Sequence, residues 1–149
     1  MAAVRPARGV PRPRGNPNDR SCLGRSMDPA LTPTLAPYLS VKDALGLASF
    51  IEEGIGGAPG FRELDATGKP NHLEFRIQDS VVMLSETPAG RSPFPAMLHL
   101  YVPDADLAYR RALAAGATGV REPTDAPDGR RGGVRDRWGN EWWFTRPSP

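Results

Sequence analysis

Two histidines, His72 and His99, and a single cysteine, Cys22, are the whole imidazole and thiol complement of the chain. His72 and Glu74 stand two residues apart, so on a strand they share a face, and a strand carrying His99 nearby would bring a third donor to them. Such a trio could ligate a divalent ion. Two histidines are few for a metal enzyme, however, and no HxxxH or HExxH pair is present. The plainer expectation is that His99 hydrogen-bonds a neighbour inside a cavity and His72 sits at an exposed strand end. As acid–base groups, His99 and Glu74 are the candidate catalytic residues, each able to act as a general base. Nucleophilic catalysis has little support, because no serine or threonine lies in a GxSxG elbow and Cys22 falls in a proline-rich segment. Gly54, Gly56 and Gly57 follow a helical pattern and end it, whereas a phosphate loop opens a helix.

These residues need elements to carry them, and an internal repeat supplies the plan. "YLSVKDALGLASF" from Tyr38 resembles "HLYVPDADLAYRR" from His99, at an offset of 61 residues that pairs Val41 with Val102, Asp43 with Asp104 and Ala44 with Ala105. The same offset lays Ile77–Leu84 over Trp138–Thr145, as duplication of a unit of about 50 residues would. Each copy reads strand, helix, three strands. In the opening strands Leu35, Leu39 and Val41 alternate with Ala36, Tyr38 and Ser40, and Leu98, Leu100 and Val102 with Met97, His99 and Tyr101. Asp43 and Asp104 are placed to cap the helices that follow. Leu47, Phe50 and Ile51 form the apolar stripe of the first helix; Ala105, Ala108, Ala112 and Ala115 form a small-residue face on the second, which Gly116 can end. Later strands are expected at 61–65, 72–78, 80–85, 119–122, 133–136 and 141–146, with hairpin turns at Gln78-Asp79 and Gly139-Asn140. Ala126–Gly133 is expected as a solvated, turn-rich loop whose Arg130 and Arg131 could reach an anionic ligand. The fold class is α+β.

Charge is unevenly distributed. The net charge of +2 divides into +5 on residues 1–26, where six arginines face Asp19 alone, and −3 on the remainder. That segment also holds four prolines and almost no large apolar side chain, so residues 1–32 are expected as a disordered basic tail. It has neither the apolar core of a secretory signal nor the helix of a mitochondrial presequence, and it lacks the aromatics of a single-strand binder. Nucleic acid is therefore not the expected partner. No apolar run is long enough for a membrane span, and the lone cysteine suits a reducing, cytoplasmic setting.

The paired βαβββ units, "YLSVKDA", "YVPDADLAYRRALAAGA" and the closing "GGVRDRWGNEWWF" resemble the vicinal oxygen chelate superfamily, the glyoxalase, bleomycin-resistance and extradiol-dioxygenase group. The resemblance is nearest to a glyoxalase-like branch, some members of which are linked to phosphonate operons and which often ends in D-x-x-G-N-x-W-W, here Asp136, Gly139, Asn140, Trp142 and Trp143. It implies one domain over 33–146, with modules 33–86 and 97–146 joined by a linker at 87–96, a short tail at 147–149, and a curved mixed sheet around a cavity. It also implies a homodimer whose cavities form between chains. The four metal ligands of the family would fall on Ala36, Val82, Met97 and Trp143, none a good donor, so no metal and no other cofactor is expected. Alternation then lines the inward face with Tyr38, Ser40, Glu74, Arg76, Met97, His99, Tyr101, Arg135 and Trp143, with Trp142 on the helix side. Under the 61-residue offset Glu74 matches Arg135, and the two could form a salt bridge in the cavity. The expected function is binding or sequestering an organic ligand against aromatic walls; the alternative is an enzyme of lyase, isomerase or dioxygenase type using His99 or Glu74 as base.

Overall fold

The computed structural model describes residues 33–149, and the expectations for the basic tail and Cys22 lie outside the described residues. Strand β1 (Tyr38–Val41) leads into helix α1 (Ala44–Phe50), which continues as a π-helical turn over Ile51–Ile55. Three strands follow: β2 (Ala58–Leu64), β3 (Pro70–Ile77) and β4 (Ser80–Glu86). The second unit repeats the order with β5 (Met97–Tyr101), α2 (Ala105–Ala114), β6 (Thr118–Ala126), β7 (Gly129–Arg135) and β8 (Glu141–Pro147). The eight strands form two four-stranded mixed sheets, β1-β4-β3-β2 and β5-β8-β7-β6, with β1 parallel to β4 and β5 parallel to β8.

Both caps form as their residue types require. Asp43 accepts from the Gly46 amide at 3.1 Å and Asp104 from the Leu107 amide at 2.9 Å. The start of α1 gains a second carboxylate: Glu86, at the end of β4, accepts from the amides of Asp43 and Ala44 at 3.0 and 2.9 Å. Leu47, Phe50 and Ile51 are buried. On α2, Ala105 and Ala112 are buried while Ala108 and Ala115 pack partly against the core. Gly116 ends that helix at φ 99°, in the left-handed region where a glycine costs least.

The two units share one core. Phe50 on α1 meets the rings of Trp138 and Trp142 at 6.4 and 6.2 Å between centroids. Arg111 on α2 donates to the carbonyls of Glu52 and Glu53 at 3.0 and 2.6 Å, satisfying acceptors that the end of a helical segment leaves over.

Three sequence expectations need correction. The 61-residue offset holds from β1 to β5 but becomes 60 from β4 to β8: Tyr38 sits beside Met83 and His99 beside Trp143. The loss enters at the preceding hairpin, where five residues, Asp65–Lys69, join the paired ends of β2 and β3 but only Pro127-Asp128 join those of β6 and β7; the longer β7–β8 turn, Asp136–Asn140 against Gln78-Asp79, makes up only part of it. Leu35, expected on the apolar side of the first strand, precedes β1 and is 86% exposed. Arg130 and Arg131 lie inside β7, because β6 and β7 extend into a long hairpin around Pro127-Asp128. Among the described residues no helix is long and apolar enough to cross a membrane.

Candidate functional site

Alternation along each strand separates a helix-facing side from an open side. On β3 Leu73, Phe75 and Ile77 are buried under α1, while His72, Glu74 and Arg76 are half-buried on the opposite face. On β8 Trp142 and Phe144 are core, and Trp143 between them is half-buried. All nine residues expected from sequence to line the inward face occupy the side away from the helices, but they divide between two sheets.

On the first sheet His72 is the centre. Its Nε2 lies 2.9 Å from Glu74 Oε1 and its Nδ1 3.4 Å from the Tyr38 hydroxyl. The imidazole sits between two rings, Tyr38 at 5.6 Å and Phe61 at 5.9 Å between centroids. Ser40 donates to Thr87 at 3.2 Å, tying β1 to the linker. His72 was expected at an exposed strand end; its side chain is 18% accessible, because Phe61 and Tyr38 close over it.

The second sheet carries a different group. His99 Nε2 is 2.8 Å from the buried Thr145 hydroxyl, which also accepts from Arg131 Nε at 3.2 Å. An arginine only donates, so the hydroxyl proton is left for His99, whose Nε2 is then the acceptor. The His99 and Tyr101 rings are 5.2 Å apart. Trp143 donates its indole N–H to Glu141 at 3.1 Å, and Glu141 also accepts from Arg135 at 2.6 Å. The Arg135 guanidinium foremost, then the Trp143 N–H, holds the Glu141 carboxyl below the usual carboxylate range. The indole lies flat on Gly133, where a Cβ would come within 2.7 Å of the ring.

The expected Glu74–Arg135 salt bridge does not form; Glu74 meets His72 and Arg135 meets Glu141, each on its own sheet. Arg130 and Arg131, expected in a solvated loop from which they could reach an anionic ligand, are held in ion pairs: Arg130 with Asp106 and Asp125, and Arg131 with Asp128 while its Nε stays on Thr145. The Arg130 hydrogen bonds lower the Asp106 carboxyl below its ordinary range.

A cavity of about 350 Å³ opens between the units, lined by the β3–β4 turn from Ile77 to Val82 and by Leu98–Tyr101 of β5. Gln78 Nε2 reaches across to the Tyr101 carbonyl at 2.7 Å. Of the nine expected lining residues, His99 and Tyr101 reach this cavity, and the other seven lie on the open sheet faces outside it. Residues missed from sequence are Phe61, Met83 and Glu141. The spacing of Glu141 and Trp143 was the available signal for the last; nothing local pointed to Phe61, which reaches His72 through strand pairing.

The shifted register moves one of the ligand positions that the family resemblance implies from Val82, which is core, to Met83. The four places then hold Ala36, Met83, Met97 and Trp143: a methyl, two thioethers and an indole. This set does not fit a hard or borderline divalent ion. The shifted trio does not assemble either, for His72 and Glu74 bind each other on one sheet and His99 binds Thr145 on the other. Among the described residues no three His, Cys, Asp or Glu side chains come together to hold a metal.

Comparison with known proteins agrees with the strand order. The family model described as "Glyoxalase/Bleomycin resistance protein/Dioxygenase superfamily" matches residues 36–144. The uncharacterised protein Rv0887c of Mycobacterium tuberculosis is 32% identical over 136 residues, covering 83% of this chain and 80% of its own length. Among solved structures, TioX from Micromonospora sp. ML1 is 27% identical with a TM-score of 0.67, covering 78% of this chain and all of TioX. TnmS3, an antibiotic binding protein from Streptomyces sp. CB03234, is 21% identical with a TM-score of 0.64, over 78% of this chain and 97% of its own.

Proposed function

Because the chain belongs to the Glyoxalase/Bleomycin resistance protein/Dioxygenase superfamily, we propose that it binds a small organic molecule, without a metal, against aromatic side chains on the open sheet faces. The observation that carries this reading is the content of the four ligand positions, where Trp143 stands in place of a donor and its ring is held flat by Gly133 and Glu141. Met97 and Tyr101 on the neighbouring strand are 71% and 65% exposed, and Tyr38 on the other sheet is 51% exposed, an amount of apolar surface that a ligand or a second chain would cover. That TnmS3 has the same fold and is described as an antibiotic binding protein supports binding as a use of this architecture.

The ligand surface is Tyr38, Ser40, Glu74, Arg76, Met97, His99, Tyr101, Arg135 and Trp143, and a second copy of the chain closes it. Cytoplasmic binding of this kind needs no cofactor. The enzyme alternative would have to free a base. Glu74 Oε1 is engaged by His72 and His99 Nε2 by Thr145, so either group would give up a hydrogen bond to take a proton at that atom.

The test is metal content of protein purified without chelator, followed by thermal melting with zinc, manganese, iron(II) or magnesium. No stoichiometric ion and no concentration-dependent shift are expected. A tightly bound stoichiometric ion would overturn the metal-free reading and put the enzyme alternative first. In a screen of planar aromatic compounds, Trp143→Leu should weaken whatever binds, and unchanged affinity would remove Trp143 from the site.

A further inference from the structure

The Tyr38, His72 and Glu74 side chains form a hydrogen-bonded chain with a direction. A carboxylate can only accept, so the contact of 2.9 Å between Glu74 Oε1 and His72 Nε2 puts the imidazole proton on Nε2. In a neutral imidazole Nδ1 is then an acceptor, and the Tyr38 hydroxyl at 3.4 Å is the group facing it. The phenol has one proton, and it points inward to His72. The Tyr38 oxygen therefore turns its lone pairs outward, and Tyr38 is 51% exposed. Each link polarises the next, so the outer oxygen is a better acceptor than an isolated phenol.

The surroundings favour an aromatic partner. Phe61 packs on one side of His72 and Tyr38 on the other, both tilted, so the polar chain runs between apolar ring faces. The second sheet presents the opposite tautomer: His99 Nε2 accepts from Thr145. The two histidines of this fold are thus wired differently, and the carboxylate-linked one ends in an exposed acceptor.

We infer that Tyr38, backed by His72 and Glu74, is a specificity site that recognises an aromatic ligand by accepting a hydrogen bond from its hydroxyl. The inference rests on the proposal that the open face binds an organic molecule, and it names the polar group that molecule must carry. A ring with a phenolic or enolic O–H fits; the same ring with that oxygen alkylated does not.

The matched probes are 2-naphthol and 2-methoxynaphthalene, which share a ring system and differ in the O–H. Binding is measured by calorimetric titration of the full chain at about pH 8.5, above the ordinary imidazole range near 6.5. The expected result is about tenfold tighter binding of 2-naphthol, the worth of one hydrogen bond to a polarised acceptor. Tyr38→Phe should remove most of that preference while leaving 2-methoxynaphthalene within about twofold. Long-range proton–nitrogen correlation spectra at the same pH should place the His72 proton on Nε2. Equal affinities for the two probes, or a His72 proton on Nδ1, would overturn the inference and leave the binding proposal standing. Failure of both probes to bind would overturn the aromatic-binding proposal and this inference with it.

Discussion

Asp136 is the first residue of the closing D-x-x-G-N-x-W-W segment, and Asp136→Asn isolates what its second oxygen does. The carboxylate is 4% exposed and accepts four hydrogen bonds, all at 2.9 Å: Oδ1 from the amides of Trp138 and Asn140, Oδ2 from Asn140 Nδ2 and the Trp142 indole. Asparagine keeps the shape but replaces one oxygen with an NH2 group. Whichever way the amide turns, two of the four donors lose an acceptor and meet another donor in a place water does not reach. Each buried donor left unsatisfied costs about 1–3 kcal/mol. Removing a buried charge returns part of that, so the expected loss is about 3 kcal/mol, with a melting temperature lowered on the order of 10 °C. The assay is urea unfolding followed by tryptophan fluorescence, with unchanged m-values as the check that the native state is intact. Asn140→Ala is the companion variant, since Asn140 Oδ1 also accepts from the Ala96 amide and ties the linker to this turn. Stability of Asp136→Asn within about 0.5 kcal/mol of the parent, the range of an ordinary surface substitution, would refute this account of the segment.

Two further changes act on Trp143. The Glu141 carboxyl is held below its usual value, so its contribution to stability is complete above the ordinary carboxylate value of 4.5 and is lost as pH falls through the lower folded value. Acidification across that window should release the indole N–H and change Trp143 fluorescence before global unfolding, and Arg135→Gln should move the transition to higher pH; a transition that stays in place would detach Glu141 from Arg135. Gly133→Ala places a methyl within 2.7–2.9 Å of the indole and cannot be accommodated without moving the ring. It should cost about 1–2 kcal/mol and weaken aromatic ligands much more than it lowers stability. Equal effects on both, compared by chemical unfolding and titration, would place the ring outside the binding surface.

The order and faces of the elements were legible because period and punctuation agreed. Asp43 and Asp104 stand where caps must be, Gly116 and Gly139 where positive φ is needed, and alternation put Trp142 inside and Trp143 outside. What misled was the assumption of one constant offset. A repeat read at 61 throughout pairs Val82 with Trp143, one core and one open, yet a strand slipped by a single residue reverses every face. The difference enters where five residues join β2 to β3 but two join β6 to β7, the turn held by Asp136 makes up part of it, and only the pairing shows this. The ion pairs were illegible for a related reason. Glu74 and Arg135 match only under the constant offset; by strand pairing Glu74 corresponds to Gly133, and Glu74 and Arg135 lie on separate sheets, each satisfied two strand positions or one hairpin away.

The same wiring explains why the two open faces differ although their backbones match. Where β3 and β4 carry Glu74 beside Met83, β7 and β8 carry Gly133 beside Trp143. On the first sheet Glu74 holds the imidazole of His72, and the Phe61 ring packs against it. On the second, the missing side chain at Gly133 admits the indole, and Glu141 fixes its edge. One face thus offers a directed acceptor between rings and the other a flat ring with its N–H already committed. A ligand spanning both would be gripped by stacking at Trp143 and oriented by its hydroxyl at Tyr38, so substitutions at the two places should act independently. Affinity losses in Tyr38→Phe, Trp143→Leu and the double variant should then add within about 0.5 kcal/mol; a shortfall larger than that would mean the two residues grip the same atoms.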